Sequence, residues 1–244
     1  MAIKFSQFNE STNTSQVDFI VGYDGNSNVR ISPSNFLSSL GDYLPLTGGT
    51  LTGDLDVDTN ITIGPDTVAT GNSIAIGNLA EATGSLALAS GYDTTASGAA
   101  STALGALTTA SGGNSFAANA EGTASGPNSA VFGLNNTSSS NESVAFGKLN
   151  TASSVQTFVA GEGNTVSGPW SAAFGLNNTV SGGTFGNVTG FNFALGKDNS
   201  ITGLNTNGNF ISGNSNSSTG GGGCLISGGG NSSNQSEAAF MIGT

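Results

Sequence analysis

Histidine is absent from the 244 residues, and Lys and Arg together number only four. Without imidazole, most acid–base and metal-ligating arrangements are excluded at once. With so few cations, nucleic-acid binding is excluded, because neutralising phosphates needs clustered Lys and Arg. Anionic membrane surfaces are disfavoured for the same reason. Cys224 is the one cysteine, so no intrachain disulfide forms. No run approaches the ~18 apolar residues of a membrane-spanning helix. The first ten residues, Met1 to Glu10, carry no apolar core of the export-signal kind. The expectation is a soluble product that is neither secreted nor anchored.

What is present is equally skewed. Charged residues make up 8% of the chain, against roughly 25% in ordinary globular proteins. Fifteen acidic residues leave a formal charge of −11, which would keep an elongated body in solution. Gly contributes 39 residues, and Ser, Thr and Asn fill much of the remainder. Such a composition suits a disordered tract. A regular apolar beat argues against disorder, because a disordered chain has no reason to hold Ala, Val or Phe in register.

That beat is a unit of a serine-like residue, a variable one, a small apolar one, another variable one, then glycine. It reads Ser73-Ile74-Ala75-Ile76-Gly77, Ser101-Thr102-Ala103-Leu104-Gly105, Ser129-Ala130-Val131-Phe132-Gly133 and Ser143-Val144-Ala145-Phe146-Gly147. First positions at 73, 85, 101, 115, 129, 143, 157 and 171 give intervals of 12 and 16, then five of 14. A period this short is too small for a helical repeat and fits one coil of a β-solenoid. After residue 175 the period loosens, yet endings such as Phe193-Ala194-Leu195-Gly196 and Leu225-Ile226-Ser227-Gly228 persist. Twelve coils from Ser73 to Gly243 would make a rod on the order of 55 Å long.

A second beat within each coil places Ala82, Ala96, Ala110, Ala124, Ala152, Val166, Val180 and Ile201 on a returning strand. Two short strands and two corners leave little interior, which explains the small central residues Ala75, Ala87, Ala103, Ala117, Ala145, Ala173 and Ala194. Their bulkier flanks, such as Ile74 and Ile76, Leu86 and Leu88, or Val144 and Phe146, then project from the opposite face. A coil this thin cannot cover both faces, and a long apolar stripe marks an association surface. Identical chains packed stripe to stripe about one axis would cover it. The expectation is a parallel homotrimer packed through Ile74, Ile76, Leu88, Leu104, Phe132, Phe146 and Phe174.

Three segments emerge. Residues 1–46 form an N-terminal module. Within it Phe19, Val21 and Tyr23 lie on one strand and Val29 and Ile31 on its return across the turn-forming Asp24-Gly25. A short helix over Phe36–Leu40 follows, capped by Ser32-Pro33-Ser34-Asn35 and ended by Gly41. Residues 47–70 are an extended connector, and residues 71–244 are the β-roll rod.

Two resemblances attach to these residues. The coil unit, best seen in Asn72 to Gly77, resembles the head repeat of trimeric autotransporter adhesins (YadA-like heads) over about residues 71–181. This implies a left-handed parallel β-roll with three chains to a rod. The sequence departs from that family in lacking an export signal, a heptad stalk and a membrane-anchoring barrel, so the adhesin setting does not carry over with the fold. The connector, Tyr43 to Leu55 with Leu46-Thr47-Gly48-Gly49-Thr50-Leu51-Thr52-Gly53-Asp54, resembles a motif of tail fibre and other appendage proteins of tailed bacteriophages. Phe19 to Gly25 and Val29 to Ser32 are similar to short N-terminal modules of such proteins. Together these imply a virion-attached fibre, assembled in the host cytoplasm, whose N-terminal module docks to tail or capsid proteins.

The chemical motifs are empty by comparison. Asp54, Asp56 and Asp58 suggest a calcium loop, but its sixth and twelfth positions would be Thr59 and Pro65 instead of Gly and Glu. Gly220 to Gly223 are followed by no lysine and open no helix, so a phosphate cradle fails. Trp170, beside Pro169 at a coil corner, is a candidate contact for a host surface sugar, against the plainer role of plugging a groove between subunits. Glycan cleavage needs paired carboxylates at fixed separation, and Glu162 and Asp198 are isolated. The expectation is therefore a non-enzymatic viral structural protein with no cofactor and no metal. A bacterial trimeric surface adhesin head fragment is the alternative.

Overall fold

The computed structural model describes residues 20–23, 28–31, 58–182, 184–185, 188–189, 191–203, 208–234 and 238–243. The chain divides between Leu55 and Asp56 into two units. In the first, Ile20–Tyr23 pairs antiparallel with Asn28–Ile31, with Ile20 opposite Ile31 and Tyr23 opposite Asn28. This is the hairpin that Asp24-Gly25 predicts. Phe19 and the predicted helix at 36–40 lie outside the described residues.

The second unit is an all-β solenoid of parallel strands with coils of about 14 residues. Most coils have one five-residue strand, such as Ile74–Asn78, and one strand of two or three residues, such as Glu81–Ala82 or Ser200–Thr202. Long strands stack into a 13-stranded parallel sheet, and short strands into a 12-stranded one. Pairing begins with Ile61–Ile63, whose partners are Ile74 to Ile76, so the stack starts one coil before Gly71. It runs through Phe240–Ile242.

The second coil corrects the sequence frame. Leu88 pairs with both Ile74 and Thr102, so its inward residue is Ala89, not Ala87. Ala87 occupies the place of Ser73 and Ser101 instead and is also buried. The interval is therefore 14 from Ser73 to Ala87 and 14 again to Ser101. Leu86 is not a strand residue flanking a core alanine; it sits at a corner, 67% exposed, with φ of 59°.

Between the sheets lies a core one side chain thick. Ala75, Ala89, Ala103, Ala117, Val131, Ala145, Val159 and Ala173 enter from the long strands, and Ala82, Ala96, Ala110, Ala124, Ala152, Val166 and Val180 from the short ones. Volumes compensate within a coil: Ala194 accompanies Ile201, whereas Ile211 accompanies Ser218 and Ile226 accompanies Ser233. The coil with Val159 and Val166 divides its interior evenly, and no described coil pairs two isoleucines.

Buried polar residues are the other half of this core. Asn136, Asn150, Asn164, Asn178, Asn199 and Asn216 hold the position just before the short strand and are 0–1% exposed. Asn164 donates from its backbone N–H and its Nδ2 to Asn150 Oδ1, both at 3.0 Å. Its Nδ2 also reaches the carbonyls of Ala160 at 3.1 Å and Gly175 at 2.8 Å. Asn178 then donates to Asn164 Oδ1 at 2.9 Å from both nitrogens. From Asn150 onward each amide thus closes a corner of its own coil and ties it to both neighbours, whereas Asn136 reaches only the following one. Buried amides are tolerated because donors and acceptors are matched in this way.

Coils enlarge only on the return from short strand to long strand. The ladder spacing rises from 14 to 21 between Asn178 and Asn199, then 17 to Asn216 and 15 to Asn231. Thr184–Phe185 and Val188–Thr189 pair antiparallel within the largest of these returns.

Candidate assembly surface

Alternation along each long strand sends its first and third residues outward. The two outward columns, from Ile61 and Ile63 to Phe240 and Ile242, hold no charged side chain. Bulk alternates between them. Phe116 stands beside Ala118, Ala130 beside Phe132, Phe158 beside Ala160, Ala172 beside Phe174, and Phe210 beside Ser212.

Aromatic rings therefore meet across coils, some diagonally and some, such as Phe132 with Phe146 and Phe193 with Phe210, directly opposite in register. Phe116 and Phe132 have centroids 4.9 Å apart, and Phe132 and Phe146 5.5 Å. Phe158, Phe174, Phe193 and Phe210 continue at 5.3, 5.3 and 5.2 Å. Such spacings lie in the favourable range for aromatic pairs. The ridge remains partly in water: Phe146 is 53% and Phe158 41% exposed.

All seven residues proposed from the sequence for packing lie on this face. Ile74, Leu88, Leu104, Phe132 and Phe174 are half-buried, whereas Ile76 and Phe146 are exposed. The sequence reading omitted Phe116, Phe158, Phe193 and Phe210, which extend the same ridge. Part of their signal was available: Phe116 and Phe158 follow the serine-like Ser115 and Thr157, whereas Phe193 and Phe210 follow Asn192 and Asn209. Of the residues Phe19, Val21, Tyr23, Val29 and Ile31, expected from the sequence to serve attachment to the virion, the last four lie on the two hairpin strands, with Val21 opposite Arg30 and Val29 opposite Gly22.

Both corners flanking the ridge mix apolar and polar side chains. At the ends of the long strands and just beyond lie Leu79, Tyr92, Leu107, Leu134 and Leu149, each 40–54% exposed, interspersed with Asp93, Glu121 and the Lys148–Glu162 ion pair at 2.8 Å. The opposite corner combines the exposed Leu86, Val155 and Trp170 with polar side chains. There Asn114 Nδ2 donates to Asn128 Oδ1 at 3.2 Å, Gln156 Nε2 to Glu142 Oε2 at 2.7 Å, and Trp170 Nε1 to Gln156 Oε1. Trp170 is therefore the last of a hydrogen-bonded file along one edge, 37% exposed.

Among the described residues no group of three or more His, Cys, Asp or Glu side chains is placed to hold a metal ion, and no helix is long and apolar enough to cross a membrane. No protein-family model matches the chain, and no curated protein matches it.

Proposed function

We propose that this chain is a non-enzymatic structural component of a phage virion, a homotrimeric fibre that attaches through its N-terminal module and projects the solenoid. The observation that carries the proposal is the uncharged outer face of the long-strand sheet, with its phenylalanine ridge from Phe116 to Phe210. At ~4.8 Å per strand that face is about 58 Å long, and five residues of extended chain give a width of about 13 Å. The resulting ~750 Å² per copy approaches the ~800 Å² per partner of a stable interface.

A second copy is the occupant that fits. Its coils repeat at the same rise, so ridge contacts stay in register over the whole stack, whereas an unrelated surface would drift out of phase. The N-terminal hairpin and the connector motif support the virion setting, and Trp170 is the side chain proposed to meet the host surface.

Two measurements test this. Sedimentation of the full chain should give three times the 23.9 kDa protomer mass, and Phe146→Asp should abolish that species. An antibody against the solenoid should decorate fibres on intact phage particles released by the producing strain. Label confined to the bacterial cell surface would favour the adhesin alternative, and a folded monomer at all concentrations would overturn the assembly.

A further inference from the structure

The corner that precedes the long strands places one residue of every coil at the same point, two residues before the strand. In order along the stack, at about 4.8 Å per coil, these include Asn114, Asn128, Glu142, Gln156, Trp170 and Phe191, all exposed. Earlier coils place Leu86 and Ala100 there, and later ones Gly208 and Gly223. Asn, Gln and Gly thus close the corner as well as an aromatic does. The interior beside Trp170 and Phe191 is already filled from the strands by Ala173 with Val180 and Ala194 with Ile201. The two rings serve no core.

Phe191 is 63% exposed and Trp170 37%. One residue further on their coils are joined, where Asn192 N–H donates to Ser171 Oγ at 3.2 Å and Ala172 N–H to the Asn192 carbonyl at 2.9 Å. The rings therefore leave the edge as neighbours in adjacent coils. Leading up to them is a file of exposed amides. Asn114 Nδ2 donates to Asn128 Oδ1, Asn128 Nδ2 to Asn141 Oδ1 at 3.4 Å, and Gln156 Nε2 to Glu142 Oε2. Gln156 Oε1 accepts from Trp170 Nε1 and so fixes the indole on the edge. Each amide offers two donor hydrogens and an acceptor oxygen, and the file uses only part of that capacity. From Asn114 to Phe191, Glu142 is the only charged side chain among the described residues of this corner.

We propose that this edge binds a neutral glycan chain lying along the stack, with sugar rings on Trp170 and Phe191 and hydroxyls on Gln156, Asn128 and Asn114. The site deepens the host contact assigned above to Trp170 and rests on that reading for its setting. A sugar ring presents a C–H face that packs on an aromatic ring and a rim of hydroxyls that exchange hydrogen bonds with amides. Val155, 39% exposed beside Gln156, adds apolar surface. A row of contacts at constant rise fits a polymer lengthwise, and the absence of any cation leaves acidic sugars without a counter-charge. The enlarged returns all lie on this edge and begin between Trp170 and Phe191; in repeat proteins such insertions gather on one face, often the one that binds.

Trp170 is the only tryptophan, so its fluorescence reports on the site directly. The full chain is screened on an array of neutral and acidic oligosaccharides from bacterial surfaces, and bound members are titrated in solution. Neutral members should bind saturably and shift the emission. Trp170→Leu and Phe191→Leu keep an apolar side chain but lose the ring, and Leu86 shows that leucine is accepted at this point of a coil. Each should weaken binding at least tenfold by calorimetry, with far-UV circular dichroism and sedimentation as in the parent. Leu86→Asn, on the same corner outside the site, should leave binding unchanged.

A parent chain that binds no member, or only acidic ones, overturns the site. So does binding that survives loss of either ring, or that falls equally with Leu86→Asn. A trimer that decorates phage particles but binds no sugar leaves the fibre standing without this site. A chain that binds sugar through Trp170 but is absent from virions leaves the site and removes the fibre.

Discussion

Gly122 and Val131 share one volume. A Cβ built on Gly122 would lie 3.0 Å from Cγ2 of Val131, in the following coil. Gly122 holds the position at which the next coil begins the asparagine ladder with Asn136. Val131 stands where Ala117 and Ala145 flank it in the sheet. The valine occupies space that a larger residue at 122 would need.

The pair should therefore couple. Gly122→Asn alone should destabilise through crowding, and Val131→Ala alone through a cavity of about 1–2 kcal/mol. Together they should cost less than their sum, with a coupling energy of about 1–3 kcal/mol. The new amide would present to Asn136 the acceptor that Asn136 Oδ1 presents to Asn150 at 2.9 Å. Denaturant unfolding of the four species measures the cycle, and strict additivity would show that the two sites do not share space.

Within the ladder, Asn164→Ala should be among the most damaging single changes in the molecule. It removes the acceptor for both Asn178 nitrogens and the donors to Ala160 and Gly175. Leaving several buried groups unmatched should cost more than about 3 kcal/mol, since each carries a desolvation penalty of about 1–3 kcal/mol. Asn164→Asp keeps the acceptor but buries a carboxyl with no cation beside it, which raises its folded pKa above the unfolded value near 3.9. The unfolded chain then releases its proton first, so stability is greatest at low pH and falls as pH rises toward the folded pKa. Thermal unfolding at pH 4 and pH 8 should show the variant closer to the parent at pH 4.

How far these features were legible depends on which physical signal a residue carries. The all-β stack of 14-residue coils and the inward alanines were readable because alternation and recurrence of Ala, Val and Gly have few other causes. The frame slipped at the second coil because Ser85-Leu86-Ala87 imitates the serine-x-alanine opening; Gly77, Gly91 and Gly105, spaced by 14, would have fixed it. The ladder was not legible because asparagine before a short strand is also what any turn prefers. Only the fold shows that Asn136 to Asn216 point inward. The corner leucines Leu79, Leu107 and Leu149 share the 14-residue frame but alternate with Asp93, Glu121 and Asn135, and their strain is visible only in φ.

Glycine at the end of the long strand tests the tightness of the stack. A Cβ on Gly161 would fall 2.0 Å from the carbonyl oxygen of Gly175, at φ of +119°. No side-chain rearrangement relieves a clash between backbones, so Gly161→Ala should cost more than about 3 kcal/mol or prevent folding. Asn119, at φ of 94°, is the exception in this column. Asn119→Gly should raise the midpoint of unfolding modestly, by relieving about 1 kcal/mol of backbone strain. A drop in that midpoint would mean that the Asn119 side chain contributes more than its backbone loses.

Leu86 separates strain from assembly. It lies in the left-handed region at φ of 59° and is 67% exposed, on the corner that precedes the long strands. No partner contact is assigned to Leu86, so its strain has no compensation there. Leu86→Asn should stabilise the folded chain by about 1 kcal/mol, the order of the left-handed penalty for a bulky residue, and leave the sedimentation behaviour unchanged. If Leu86→Asn weakened association, that edge would be buried between copies and the leucine would have a partner there.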